Sequence, residues 1–314
     1  TRQAWLGFFV GAVFLVFFWN KKYLLIIPLL LAGLLLFAPK GVEDRMQSLL
    51  NMSDLSFQSR ISLWKGGWEI FKDYPITGCG FKCVDFVHSR YPDPSGDINR
   101  FRGMHNNVIQ LMVDTGIVGL GLWVFIWVAY FIEIFKRWRL LAEETSQNNA
   151  KSILMGSLAP VLGFLGGGFF ETNFYDSEIV MLLFFFMGIS LANVKKAPMT
   201  EKITSSEVSF IQVNQFIPPL DKVIQFSLFT FVVFSMFSIT ITQLSFAIGV
   251  LAWLLKVHLT KSWKEIRGTA IGLPILCFCL ASVLAVITSV DLATSLKPLK
   301  KILQFAVFFW VANT

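Results

Sequence analysis

His105 is the residue of this sequence best suited to act as a general base. Arg100 and Arg102 precede it by five and three residues, and a long apolar run follows it. An imidazole titrates near neutral pH and can therefore take a proton from a hydroxyl group. This position predicts a helix N-terminus at a membrane boundary, where basic residues converge. His258 lies in a basic predicted cytoplasmic loop and is interpreted as solvated, whereas His88 lies in the middle of a loop without patterned neighbours and is interpreted as structural or solvated.

A base of this kind needs a partner that orients its ring. Asp114 lies nine residues beyond His105, which places it about 180° away around a helix, so it is a poor partner. Glu171, Asp176 and Glu178 lie in a second predicted outer loop. Each of these three carboxylates is a candidate to approach His105 in space.

Arg60 belongs to a stretch, 58–71, in which apolar and aromatic residues recur at helical spacing. The pattern predicts a helix at the membrane interface with its aromatic face, including Leu63 and Trp64, toward lipid. Trp64 lies one turn after Arg60. Arg60 then has two interpretations, because it either binds lipid phosphates at the surface or has a functional role.

The residues that follow this helix predict a tight turn. Pro75, Gly78 and Gly80 are turn formers that end the helical pattern. Cys79 and Cys83 are four residues apart, and a bridge over so short a gap needs a special backbone geometry. A disulfide, free thiols and links to a partner all remain open.

The composition identifies the class of protein that must position these residues. Of 314 residues, 55% are hydrophobic and only 15% are charged, and 33 are Phe; the mean hydropathy is +0.63. These values exclude a soluble enzyme, a disordered chain and a disulfide-stapled secreted module. The net charge of +7 is distributed between apolar runs, which is typical of cytoplasmic loops and does not indicate nucleic-acid binding.

Apolar runs of about 17–25 residues mark membrane-crossing helices. The fold prediction is an all-α, polytopic transmembrane helical bundle of about nine spans, with one large extracytoplasmic loop at 39–106. Some runs are short and require tilt or local thinning of the bilayer. The predicted spans are roughly 4–19, 23–38, 108–135, 153–171, 177–194, 222–238, 240–256, 269–289 and 301–313.

Lys and Arg clusters between the spans predict the orientation. Most fall on one side if the spans alternate, so that side is assigned to the cytoplasm and the 39–106 loop to the outside. Lys297, Lys300 and Lys301 are the exception, because they fall on the outer side. A short amphipathic piece at headgroup level accounts for them.

The chain divides by composition into three parts. Residues 1–196 form one membrane block, 197–220 a polar linker with three prolines, and 221–314 a second block. The start at Thr1 within a helical pattern predicts a fragment of a longer protein. The sequence has no phosphate-binding glycine loop, no H-E-x-x-H and no paired carboxylates suited to a divalent metal, so neither a cofactor nor a metal is predicted.

Three elements resemble the O-antigen ligase and O-antigen polymerase superfamily of bacterial membrane glycosyltransferases. They appear in the family order around one large outer loop. They are Thr1-Arg2…Trp5 (S/T-R-x-x-W), Arg60…Trp64 with Pro75, Gly78 and Gly80 (R-x-x-x-W…P-x-x-G-x-G), and His105-Asn106…Gln110 with Asp114, Gly116 and Gly119 (H-N-x-x-x-Q…E/D-x-G-x-x-G).

The resemblance implies a metal-independent, inverting glycosyltransferase without cofactors. The donor is a glycan on undecaprenyl diphosphate, and the acceptor is lipid A–core or another saccharide. His105 is implied as the base, and Arg60 and Arg2 as the diphosphate-binding residues. Trp64, Arg102 and Glu171 are candidates for supporting roles. The implied location is the bacterial inner membrane, with membrane lipids as surroundings and the active loop on the periplasmic side.

The order of the family's parts is reversed in this chain. Residues 217–313 resemble the family's N-terminal spans, and Ser289–Lys297 resembles its S-x-D-x-x-x-S-L-K piece. A permutation, a tandem fusion and two joined reading frames each explain that order. Ligation of O-antigen is the favoured function, with two alternatives: O-antigen or exopolysaccharide polymerisation, and transport of lipid-linked glycans.

Overall fold

The computed structural model describes residues 2–26, 28, 33, 55–91, 93–143, 148–192, 207–266 and 269–314. All secondary structure in these ranges is helical, which confirms the all-α prediction. The α-helices are α1 (Arg2–Trp19), α2 (Leu55–Asp73), α3 (Val84–Val87), α4 (Asp97–Phe101), α5 (Asn107–Glu143), α6 (Asn148–Gly167), α7 (Ser177–Leu191), α8 (Glu207–Phe234), α9 (Ile239–Thr260), α10 (Thr269–Ile287), α11 (Leu292–Leu299) and α12 (Phe305–Ala312).

Five of these helices are long and apolar enough to cross a membrane. They cover 107–142, 149–167, 217–234, 239–260 and 270–287, and two shorter apolar helices cover 4–19 and 177–191. Most of the predicted span 23–38 lies outside the described residues. The last predicted span, 301–313, is a 3-10 helix (Lys300–Gln304) followed by the eight-residue helix α12.

The chain forms two compact units that interleave along the sequence. Unit 1 comprises 1–128, 158–176 and 274–302; unit 2 comprises 129–157, 177–273 and 303–314. The boundaries predicted from composition stay a prediction. Of the predicted linker, 207–220 forms the first half of α8, and the remainder lies outside the described residues.

Unit 2 is a helical packing of α7, α8, α9 and α12. Aromatic rings fill its interior, including Phe184 against Phe305 with centroids 4.5 Å apart. Arg137 donates hydrogen bonds to the carbonyls of Ser190 and Ala192 at the C-terminal end of α7. These bonds satisfy carbonyls that a helix end otherwise leaves unpaired.

Unit 1 holds the predicted chemistry. Its helix α1 contacts the second half of α6 so closely that a Cβ on Gly7 would lie 2.6 Å from the carbonyl oxygen of Gly163. Small residues permit this approach between apolar helices.

Helix α2 packs on a small core of its own and does not present one aromatic face to lipid. Leu63 and Ile70 are fully buried there with Val84, Ile98 and other apolar residues. The sequence expectation is therefore wrong for Leu63 and Trp64, which turn inward, while Trp68 stays half exposed. Tertiary contacts with the following loop provide a better burial site for these side chains than the interface.

The long helix α5 is broken at Gly116, whose φ of 64° and ψ of −165° are not helical. The turn at Pro75–Gly80 fills the break. The N–H groups of Ile117 and Val118 donate to the carbonyls of Pro75 and Ile76, at 2.9 and 3.3 Å. The turn thus replaces helical hydrogen bonds that the break removes.

Candidate active site

His105 lies immediately before α5, in the left-handed backbone region with φ of 46°. Asn106 follows it and caps the helix, because its Oδ1 accepts from the backbone N–H groups of Val108 and Ile109 at 2.8 and 3.0 Å. A helix begins where the sequence predicted one, and the histidine lies one residue before its capping residue.

The Nδ1 atom of His105 lies 2.8 Å from Oε1 of Glu171. Both side chains are partly exposed, at 33% and 26%. Glu171 is one of the three carboxylates proposed from sequence, and the structure brings this one to the histidine.

Glu171 carries its charge at neutral pH. Burial alone would raise the pKa of this carboxyl, but the hydrogen bond from His105 and the charge of Arg60 bring the pKa below its ordinary value. An ionised carboxylate only accepts hydrogen bonds, so Nδ1 must be the donor. The second ring nitrogen, Nε2, therefore keeps its lone pair whenever the imidazole is neutral.

The loop that carries Glu171 is tied to the start of α5. The side-chain amide of Asn106 donates to the carbonyl of Phe169 at 2.9 Å, and the backbone N–H of Asn107 donates to that of Gly168 at 2.8 Å. The backbone N–H of Phe174 donates to Oδ1 of Asn107 at 3.1 Å. The two asparagines of the H-N-N sequence therefore hold the carboxylate in register with the histidine.

Arg60 reaches the same loop from α2. Its Nε donates to the carbonyl of Phe170 at 3.3 Å, and its Nη1 donates to the hydroxyl and the carbonyl of Ser56 at 2.7 and 3.0 Å. The guanidinium is thus held beside the residue that precedes Glu171. The structure places Arg60, His105 and Glu171 together.

Trp64 supports the backbone just before the histidine. Its indole N–H donates to the carbonyl of Met104 at 3.0 Å, and its ring packs on Phe170 with centroids 6.1 Å apart. Trp64 therefore links α2 both to the segment of His105 and to the loop of Glu171.

Gln110 and Tyr175 also position the site, although the sequence did not identify their roles. The N–H of Met104 donates to Oε1 of Gln110 at 2.9 Å. Gln110 in turn donates to Oδ1 of Asp114 at 3.1 Å, and the hydroxyl of Tyr175 donates to Oδ2 at 2.7 Å. The helical spacing of Gln110 and Asp114 was a usable signal, whereas nothing local pointed to Tyr175.

The glycine-rich elements meet one turn below this network. A Cβ on Gly78 would lie 2.4 Å from the backbone carbon of Asp114, and one on Gly116 would lie 2.3 Å from the carbonyl oxygen of Ile76. Cys79 and Cys83, left open by the sequence, are joined by a disulfide. On the other side of the turn, the N–H of Val290 donates to the carbonyl of Cys79 at 3.0 Å.

One predicted site residue, Arg102, is not part of this arrangement. Arg102 donates to the carbonyl of Asn99 at 3.1 Å and lies 3.8 Å from the carboxylate of Asp85. The side chain of Arg2 lies outside the described residues. Among the described residues, no group of three or more His, Cys, Asp or Glu is placed to hold a metal ion.

Comparison with known proteins bears on the first part of the chain. Residues 1–124 match the O-antigen ligase family, which confirms the resemblance found in the sequence. No curated protein and no solved structure matched the chain. The match covers less than half of the chain, and the described residues include five helices that are long and apolar enough to cross a membrane.

Proposed function

We propose, from the premise that residues 1–124 belong to the O-antigen ligase family, that this chain transfers a glycan from undecaprenyl diphosphate to lipid A–core. The site would face the periplasm from the inner membrane. One observation carries the proposal: the 2.8 Å pair of His105 and Glu171, with Arg60 bound to the adjacent carbonyl of Phe170. A base, its orienting carboxylate and a permanent cation are the groups that this transfer needs.

His105 activates the acceptor. Its Nε2 takes the proton of a sugar hydroxyl while Nδ1–H stays on the carboxylate of Glu171. The hydroxyl oxygen forms a bond to the anomeric carbon of the donor, and the bond from that carbon to the diphosphate oxygen breaks. Attack opposite the leaving group inverts the configuration. Glu171 stabilises the imidazolium that results.

Arg60 receives the charge that develops on the diphosphate. A guanidinium is always ionised and presents a planar fork that matches phosphate oxygens. Nε and Nη1 bind Phe170 and Ser56, and we assign the two N–H groups of Nη2 to the diphosphate. Arg2 is proposed as the second cation. Two permanent cations supply the charge stabilisation that a metal ion provides in other phosphate chemistry, so the transfer is proposed to be metal-independent.

The test is glycan transfer in membranes that contain the full chain, with an undecaprenyl-diphosphate-linked donor. We expect His105→Ala to abolish transfer, because it removes the nitrogen proposed to take the proton. His88→Ala is the matched control, since the Nδ1 of His88 lies 3.1 Å from the carbonyl of Val84, away from Glu171. Transfer by His105→Ala at the control rate would refute the proposal.

The acceptor is tested in the same membranes. Lipid A–core and a second lipid-linked glycan are supplied separately. Transfer to lipid A–core alone supports ligation, and transfer to the lipid-linked glycan alone identifies a polymerase. Arg60→Lys should lose most of the activity with either acceptor, because a single ammonium group cannot keep the bonds to Phe170 and Ser56 and also donate to the diphosphate.

A further inference from the structure

A group of lysines in unit 1 has no part in the proposed transfer. Lys300 and Lys301 begin the 3-10 helix that follows α11, and Lys82 follows the turn at Pro75–Phe81. These three residues are called the outer lysine cluster below. Lys300 and Lys301 fall on the predicted outer side of the membrane, whereas most Lys and Arg residues of the loops fall on the predicted cytoplasmic side. Their position therefore needs another explanation.

Helix α11 brings the two parts of the outer lysine cluster to the same place. The carboxylate of Asp291 caps the helix by accepting from the N–H of Thr294 at 2.7 Å. One turn later, the buried hydroxyl of Ser295 donates to the carbonyl of Phe81 at 3.0 Å. Lys82 comes directly after that carbonyl, has a left-handed φ of 59° and is exposed.

Lys301 lies on the other side of Phe81. Its Nζ donates to the carbonyl of Tyr175 and lies 6.0 Å from the centroid of the tyrosine ring. The rings of Phe81 and Tyr175 are 6.3 Å apart. Lys82 therefore follows one residue of this aromatic contact in the chain, and Lys301 binds the other.

The cluster has excess positive charge. Burial lowers the pKa of Lys301; the nearby carboxylate of Asp176 opposes this, and the charges of Lys82 and Lys300 add to it. The charges of two further lysines thus act on Lys301, and the carboxylate of Asp176 opposes them. A bound anion would relieve the repulsion between them.

The surroundings of the cluster indicate what kind of anion it meets. Leu292 and Leu296 are more than half exposed, at 57% and 56%, and lie on α11, which directly precedes Lys300 and Lys301. Exposed leucines beside lysines are typical of a segment at the boundary between headgroups and acyl chains. The ligand that fits both features is a lipid with phosphate groups.

We infer that Lys82, Lys300 and Lys301 bind the phosphate groups of the acceptor lipid A, as a site separate from Arg60. The inference rests on the proposed function for the identity of the acceptor. Tyr175, which contacts Lys301, is four residues from Glu171, so their Cα atoms are at most about 14 Å apart. A phosphate held at the cluster is then within a few sugar lengths of the base.

The test is binding of lipid A to the full chain in phosphatidylcholine nanodiscs, with dephosphorylated lipid A as the matched probe. Lys82→Gln together with Lys300→Gln should weaken binding of lipid A about five- to tenfold, since each exposed charge pair contributes up to about 1 kcal/mol. Dephosphorylated lipid A should bind equally to both chains. Lys301 stays unchanged because its hydrogen bond to Tyr175 contributes to the fold.

Two further variants control for effects of charge and folding. Lys72→Gln removes an exposed lysine that pairs with Glu69 on α2 and should leave binding unchanged. Lys82→Arg together with Lys300→Arg keeps the charge and should keep the affinity. Unchanged lipid A binding by the double glutamine variant, or an equal loss in Lys72→Gln, overturns the inference.

Binding to nanodiscs that contain phosphatidylglycerol separates an acceptor site from a general anionic surface. If phosphatidylglycerol competes with lipid A for binding as well as lipid A itself does, and the double glutamine variant loses both kinds of binding, the assignment to the acceptor is overturned. The outcome is independent of catalysis, because the assay measures binding of lipid A in the absence of a glycan donor. Lysine-dependent binding without transfer would therefore refute the proposed function alone.

Discussion

Replacement of Gly116 by alanine should destabilise unit 1 more than an ordinary helix substitution. Gly116 has φ of 64° and ψ of −165°, a region that side chains with a Cβ hardly populate. The added Cβ would lie 2.3 Å from the carbonyl oxygen of Ile76 and 2.6 Å from the nitrogen of Gly78. Both neighbours are backbone atoms, which cannot rotate away.

The size of the effect follows from two contributions. The backbone conformation costs about 1–3 kcal/mol for a residue other than glycine. Movement of the turn also stretches four backbone hydrogen bonds between 75–80 and 113–118, which range from 2.9 to 3.3 Å. Each contributes about 1 kcal/mol net, so the loss of half of them brings the total to about 4 kcal/mol.

The assay is thermal unfolding of the full chain in nanodiscs, followed by tryptophan fluorescence. Gly121→Ala is the matched control, because Gly121 lies on the same helix with no atom within 4 Å of an added Cβ. That control should be neutral or stabilising by up to about 1 kcal/mol. Equal unfolding temperatures for the two variants would refute the argument that the turn is locked into the break of α5.

Three other predictions follow from the contacts of the site. Glu171→Gln should lower kcat about 10- to 100-fold with little change in KM, because the amide keeps an acceptor but not the charge that stabilises an imidazolium. Glu178→Gln changes an exposed side chain and should leave kcat unchanged. Burial would raise the pKa of Asp93, but hydrogen bonds from serine hydroxyls and backbone N–H groups lower it to about 2. The ionised carboxylate therefore stabilises the folded state above about pH 4, and this contribution is lost as the pH falls toward 2. Asp93→Asn should therefore lower the unfolding temperature at pH 7 and converge with the unchanged chain at pH 2. Trp64→Phe removes the donor to the carbonyl of Met104. It should lower the free energy of unfolding by about 1–2 kcal/mol and reduce the transfer rate. An unchanged transfer rate would contradict the positioning role of Trp64.

The part of the site that could be predicted from sequence is the part carried by local patterns. The apolar run after His105 indicated a helix N-terminus, and the structure has α5 beginning at Asn107. Helical geometry alone excluded Asp114 as the partner of the histidine, and Asp114 binds Gln110 and Tyr175 instead. Reasoning of this kind succeeds because a helix relates residues nine positions apart by a fixed rotation.

Other features could not be predicted because they depend on contacts between distant segments. The choice of Glu171 among three carboxylates was made by Asn106 and Asn107, which bind the loop before and after it. Trp64 faces inward because Met104 and Phe170 offer its indole a hydrogen bond and a packing surface. Periodicity specifies which side chains share a helix face, but it does not specify what covers that face.

The sequence by itself determined the helical, membrane-spanning class, the resemblance of residues 1–124 to the O-antigen ligase family and the choice of the candidate base. Composition and short motifs carry that information without reference to the rest of the chain. Only the tertiary structure decided that Gly116 breaks α5, that the turn at Pro75–Gly80 fills the break, and that Val290 binds the same turn from a segment more than 200 residues away. Unpaired backbone groups at a broken helix must find partners, and those partners exist only once the chain has folded.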